Sequence, residues 1–358
     1  MFLFNKKNYF YLYIFFLILV FIFNEFSTNK VLAKNYSVSN VQIEEIYDLN
    51  FDKSKVIDSA FKKSFKILIY KIVEKKDRSK LDNIPLKEIK SLIENFSITD
   101  EKFINKNYKS KFEVQFNKKK ILKFLEKKGV ISSLPKKVEI FILPLLIEAK
   151  TSNLIYLNEN IFLKNWKSET QEYFLLNYVL PNEDIEDFLI IKRNMDDIEN
   201  YNFEEIIKKY NLDSHIILLM LYDKNQIKIF SKIKFDNKNM LINKIYKGKD
   251  IKDLKFVQDI ILDLKDIYED KWKSINKLNT TIAFPIRLML NSKNIDLSKQ
   301  LESSLSELDL VSDFTIERFD NKKIIYKIIY NSSPDKFLES MLTYNFKIDT
   351  SKKIWILK

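Results

Sequence analysis

Residues 314–334, FTIERFDNKKIIYKIIYNSSP, decide what the last part of the chain is. Phe314 to Phe319 and Lys323 to Tyr330 have the length and β-branched, aromatic content of strands, and Asp320-Asn321 between them supplies a hairpin turn. Ser333-Pro334 reads as an N-cap followed by a proline in the first helical turn. Upstream, Ile282 to Leu290 is a strand, and Leu297, Leu301, Leu305 and Leu308 recur behind it at helical spacing. Downstream, Phe346 to Ile348 and Ile354 to Leu357 finish as strand. The succession β-α-β-β-α-β over 280–358 is that of a ferredoxin-like split βαβ unit.

Two further segments precede it. Over 35–130, Tyr36, Val38, Val41 and Ile43 suggest an opening strand, and Asp52 caps a helix whose apolar face is Val56, Ile57, Ala60, Phe61, Phe65, Leu68, Ile69 and Ile72. Pro85 marks the first turn of a shorter helix carrying Ile89, Leu92 and Ile93. Strands at Phe96 to Ile104 and Tyr108 to Phe116 turn through Asn105-Lys106-Asn107, where asparagine tolerates angles that glycine would normally supply. A helix with Ile121, Leu122, Phe124 and Leu125 closes the unit, and Gly129 sits where a C-cap belongs. Over 131–279, Val138 to Ile147 reads as a buried strand broken only by Pro144. Leu175 to Leu180 and His215 to Tyr222 are further strands, and Phe203 to Tyr210 is a helix. Gln226 to Phe235 and Met240 to Tyr246 form a hairpin around Asp236-Asn237. Leu254 to Lys277 is a long amphipathic helix, and Lys192 to Asn202 a polar, mobile loop. The expected fold class is therefore α+β with α/β character, built as three small mixed α/β units.

Before these segments, residues 1–33 read as an export signal. Lys6 and Lys7 precede Tyr9 to Phe23, an apolar run without a charge, and Val31-Leu32-Ala33 offers compact residues to a signal peptidase. The run is shorter than the roughly 20 residues that span a bilayer. Cleavage after Ala33 and a periplasmic location are expected; the alternative is an inner-membrane anchor through 9–23 with the rest facing the periplasm. No cysteine is present, which excludes a lipid-modified cysteine, disulfides, a thiolate nucleophile and cysteine metal sites.

The net charge is +12, with two glycines and four arginines, Arg78, Arg193, Arg287 and Arg318. Abundant Lys, Asn, Ile, Phe and Tyr match the codon bias of an AT-rich genome, which makes lysine the default surface residue. Scarce arginine argues against a nucleic-acid partner, because bidentate base and phosphate contacts favour it. An anionic membrane surface met through lysine is a second use of the same charge.

Catalytic signatures are thin. His215, the single histidine, cannot form a histidine metal cluster, and Ser214 beside it points to the other face of a strand. Two glycines cannot build a phosphate-cradling loop. The clusters Glu44, Glu45, Asp48 and Glu183, Asp184, Glu186, Asp187 read as solvated faces or turns, although two carboxylates in a cleft are all that glycoside chemistry needs. Lys118-Lys119-Lys120 reads as surface at a helix start. Trp166, Trp272 and Trp355 read as core or interface anchors, with a sugar platform the other use of Trp166.

Several of these stretches together have a familiar look. Asn35-Tyr-Ser-Val-Ser-Asn-Val-Gln-Ile43, the helix ending Leu68-Ile-Tyr-Lys-Ile-Val73, Phe96-Ser-Ile-Thr-Asp-Glu-Lys-Phe103 and Tyr108-Lys-Ser-Lys-Phe-Glu-Val-Gln-Phe116 resemble an exported proteobacterial family known only as domain of unknown function number twenty sixty-six. Phe141-Ile-Leu-Pro144, Ile206 to Leu221 and the tail Ile354-Trp-Ile-Leu357 extend the resemblance. That family brings no activity and no functional residues to carry over. A fainter likeness to envelope-assembly modules of the flagellar-accessory and Tol-associated kind implies a non-catalytic periplasmic role. The expectation is an uncharacterised envelope-associated binding or assembly factor, not an enzyme, with no cofactor and with another envelope protein as partner. The alternative is a carboxylate-based hydrolase acting on cell-wall or sugar substrate.

Overall fold

A computed structural model describes residues 36–155, 159–167, 172–236, 238–248, 250–278 and 283–358. The expected leader, Ala33 included, lies outside the described residues, as do Asn237 of the expected turn and Ile282 of the expected strand.

In the first sheet, β1 (Ser37–Ile46) leads into α1 (Lys53–Ile72). Asp52 Oδ1 accepts from the Ser54 amide at 2.8 Å and opens that helix. The expected apolar stripe is buried apart from the partly covered Ile57, and Ser64 and Ile67 join it. Each large side chain so covered contributes about 1.5–3 kcal/mol before chain entropy is charged. A short turn of helix, α2 (Lys75–Arg78), precedes α3 (Leu86–Leu92). Pro85 is the N-cap of α3, with extended backbone, rather than part of its first turn, and Ile93 already belongs to β2 (Ile93–Ile104). β2 returns as β3 (Asn107–Phe116), with Asn105 and Lys106 both at positive φ, as a two-residue hairpin turn requires. The antiparallel order is β1-β3-β2. α4 (Lys118–Lys127) closes the unit, and Gly129 at φ +64° donates its amide to Glu126 O.

The second sheet begins with β4 (Val138–Glu148), β5 (Asn153–Ile155), the short α5 (Ile161–Asn165) and β6 (Leu176–Val179). α6 (Ile185–Arg193) and α7 (Glu204–Lys208) precede the meander β7 (His215–Asp223), β8 (Gln226–Phe235) and β9 (Lys238–Lys247), and α8 (Leu254–Ile275) follows. The order is β5-β4-β7-β8-β9, with β6 also on β4. β4, β6 and β7 are parallel. Over β4 and β7 both faces are covered. Ile140, Ile142, Ile216 and Leu218 meet α8, while Phe141, Leu143, Ile217 and Leu219 meet α6 and α7. That double cover is why these strands read as unbroken apolar runs. Pro144 survives inside β4 because it lies opposite the gap between β6 and β5. There its carbonyl accepts from the buried Asn160 side chain at 2.9 Å, so the edge lacking an N–H faces no strand. The expected loop from Lys192 to Asn202 is held down instead: α6 continues to Arg193, a 3₁₀ turn spans Met195–Asp197, and Ile198 is buried.

α8 carries a row of buried charges, Lys265, Glu269 and Lys273, at successive helical turns. Lys265 Nζ donates to Trp166 O at 2.6 Å and lies over the rings of Trp166, Phe174 and Tyr178. Glu269 Oε1 accepts the amides of Leu175 and Leu176, each at 2.7 Å, and so fixes the start of β6. Lys273 Nζ donates to Tyr70 O at 2.5 Å and Val73 O at 3.3 Å, at the end of α1. Burial lowers the pKa of both lysines to about 8 and raises that of Glu269. Beside this row, Arg78 stacks on Tyr70 and reaches Asp266 at 3.1 Å.

The third sheet contains β10 (Phe284–Asn291), α9 (Ile295–Glu307), β11 (Val311–Phe319), β12 (Lys323–Tyr330), α10 (Pro334–Thr343), β13 (Ile348–Asp349) and β14 (Trp355–Leu357). Ser333 is the N-cap of α10, with Pro334 after it. The order is β11-β12-β10-β14-β13. The expected β-α-β-β-α-β succession is present, with β13 as an addition. The chain leaves α10 for the far edge, forms β13, and turns back, so that β14 runs parallel to β10, where the expected ferredoxin-like unit would bring its last strand in antiparallel to the first. Helices plus three mixed or antiparallel sheets make the fold α+β, and all three sheets belong to one compact unit, Asn35–Lys358. Among the described residues, no helix is long and apolar enough to cross a membrane.

Candidate functional site

Among the described residues, helices cover the second face of the central sheet only over β4 and β7. The β8–β9 half of that face is left open, and register fixes what it shows. Across the strands run the rows His215–Lys234–Asn239, Ile217–Lys232–Leu241, Leu219–Phe230–Asn243 and Leu221–Lys228–Ile245. Leu241 is 68% exposed and Ile245 57%. Alternation places these residues outward because Ile227, Ile229, Ile233 and Phe235, one residue out of phase, face α8.

At the His215 end the surface deepens into a pocket of about 550 Å³ between the loop leading to α7, the start of β7, the end of β8 and the start of β9. His215, Lys232, Lys234, Phe203, Glu204 and Asn239 line it. Burial, helped by the charge of Lys234 and opposed by Glu204, lowers the His215 pKa, so the ring is neutral at pH 7. His215 Nδ1 is buried without a hydrogen-bond partner among the described residues. Lys232 Nζ donates weakly to Tyr201 O at 3.5 Å and lies over the Phe203 ring. Burial lowers its pKa, against the pull of Glu199 and Asp197. The surface thus sets lysine ammoniums, aliphatic side chains and side-chain amides side by side.

The other residues singled out from the sequence are dispersed. Ser214 Oγ accepts the Asp236 amide at 3.2 Å, which ties it to the β8 turn and not to His215. Glu44 pairs with Lys109 at 3.0 Å on the outer part of the first sheet, and Asp48 caps its own turn through the Asn50 amide. In the second acidic cluster Glu183 and Glu186 are exposed, and Asp187 departs from the expected solvated face or turn. Asp184 caps α6, Asp187 is fully buried, and Lys209 clamps both at 2.7 Å. The reason is a helix N-terminus placed against a cationic side chain, which favours carboxylates.

Lys119 and Lys120 are exposed at the helix start, and Lys118 departs from the surface reading. Lys118 Nζ donates to Leu308 O at 2.8 Å and Val311 O at 3.3 Å, Lys119 pairs with Asp313 at 2.7 Å, and Lys120 donates to Ser91 O. Two of the three thus bind the junction of α9 and β11 to the first unit, and burial lowers the Lys118 pKa to about 8. Trp166 and Trp272 are fully buried and Trp355 is partly so, and a buried Trp166 has no face to offer a sugar. Sequence reasoning missed the open β8–β9 face. Its signal was present: six lysines in the hairpin, Lys228, Lys232, Lys234 and Lys247 on the open face and Lys238 and Lys244 on the other, and no carboxylate within either strand.

No model of a known protein family matches the chain, and no curated protein matches it.

Proposed function

We propose that the chain is a non-catalytic binding or assembly factor of the bacterial cell envelope, acting in the periplasm by holding another envelope protein. The observation that carries this is the uncovered half of the central sheet, where Leu241 and Ile245 stand exposed between lysines on an otherwise covered face. Exposed apolar groups rimmed by charge are the mark of an interaction surface. The periplasmic setting rests on the export signal expected over 1–33. In-cell cross-linking followed by purification under denaturing conditions tests the proposal. The wild-type chain should carry an envelope protein that the Leu241→Ser/Ile245→Ser variant loses. A chain that stays solitary under cross-linking, or a partner that the double variant retains in full, refutes it.

A further inference from the structure

β9 ends the central sheet, and its outer edge pairs with nothing among the described residues. It is ten residues long. An unpaired edge of that length presents a row of backbone donors and acceptors to any strand that fits. β1, β2 and β11 are also long edge strands, but each contains carboxylates. β9 contains none, and neither does β8 beside it. The six lysines of these two strands make no ion pair among the described residues; Lys244 is only near enough to Asp263 to help lower that carboxyl's pKa. Elsewhere lysines are commonly paired, as Lys75, Lys90, Lys109 and Lys209 are.

We infer that β9 accepts an extended, acidic segment of a partner protein as an added strand. This deepens the proposed binding role and rests on it. Backbone pairing along β9 supplies affinity, and alternate side chains of the incoming strand meet Leu241 and Ile245 on one face. Its carboxylates, alternating with these apolar groups, fall on the other face beside Lys238 and Lys244, while Lys247 stands at the end of the Leu241–Ile245 face. A lipid headgroup cannot satisfy a row of amides and carbonyls. Single-stranded nucleic acid is disfavoured because neither strand contains arginine and only Phe230 offers an aromatic ring on the open face. A symmetric pair of β9 edges would bring lysines against lysines.

The test titrates the purified protein with a labelled peptide of about the length of β9 that alternates glutamate with valine, followed by fluorescence anisotropy and amide hydrogen exchange. Binding should weaken as salt rises, and new exchange protection should fall on β9. The Lys238→Gln/Lys244→Gln variant should bind at least ~10-fold more weakly with unchanged circular dichroism. The inference is overturned if β9 amides gain no protection or if a lysine–valine peptide binds equally well. Stronger competition from phosphatidylglycerol vesicles or oligothymidine, or concentration-dependent self-association that the peptide does not disturb, also overturns it. A partner cross-linked in cells that leaves β9 exchange unchanged would sink strand addition and leave the binding role standing. Peptide protection without any cellular partner would do the reverse.

Discussion

Replacing Glu269 by leucine should lower stability by about 3–5 kcal/mol. Two contributions set that size. The carboxylate accepts two buried amides, Leu175 and Leu176, at 2.7 Å, and each one left unpaired costs about 1–3 kcal/mol. Lys273, 1% exposed, also loses its nearest opposite charge. Relief of the carboxylate's own burial, which raises its pKa, works the other way and keeps the net below the sum. Glu269→Gln keeps an acceptor oxygen for the amides and should lose only about half as much. The pair Glu269→Leu/Lys273→Met should recover part of the single loss, because no uncompensated ammonium remains. Urea unfolding followed by tryptophan fluorescence measures all three, since Trp166 and Trp272 are both fully buried in this core. A loss below about 1 kcal/mol for Glu269→Leu would mean that the buried row does not hold α8 to β6.

Three other outcomes are expected. Lys265 and Lys273 titrate at about 8 when folded and at 10.5 otherwise, so between those values the unfolded chain binds more protons. Stability is depressed below about pH 8 and should rise toward pH 10, where the unfolded tyrosines begin to ionise; a urea midpoint that falls over this window contradicts the burial of these lysines. Lys106→Gly, at φ +61° in the β2–β3 turn, should stabilise by about 0.5–1 kcal/mol in the same urea assay. Asn160→Ala should destabilise by about 2–3 kcal/mol, because the buried amide both caps α5 and fills the gap at Pro144, and thermal melting should register it.

Local chemistry was legible where it acts within a few residues. Asp52, Asn105-Lys106, Gly129 and Ser333-Pro334 each announced a cap or a turn, and each occupies that place. Pro85 was placed one step inside the helix that it caps, and Ile93 one step off because a helix end and a strand start meet at that apolar residue. Long-range partnerships were not legible. Lys265, Glu269 and Lys273 lie at helical spacing in a charged stretch and read as solvent-facing until Trp166, Leu175 and Tyr70 are brought against them. Lys118 looked like any surface lysine until the carbonyls near residue 310 arrived. The lysine-rich β8–β9 hairpin was visible but drowned in a chain where lysine is everywhere.

The contacts of Lys118 and Lys273 have a consequence for how the molecule is made. Each ammonium finds its carbonyls about two hundred residues away along the chain, Lys118 downstream and Lys273 upstream. A ribosome or translocon delivers the amino-terminal part first. That part must wait with its docking carbonyls and a basic side chain open to water until the rest emerges. Truncated products ending before Lys273 therefore lack the clasp that joins α8 to α1, and a holding chaperone has its longest task on this nascent chain.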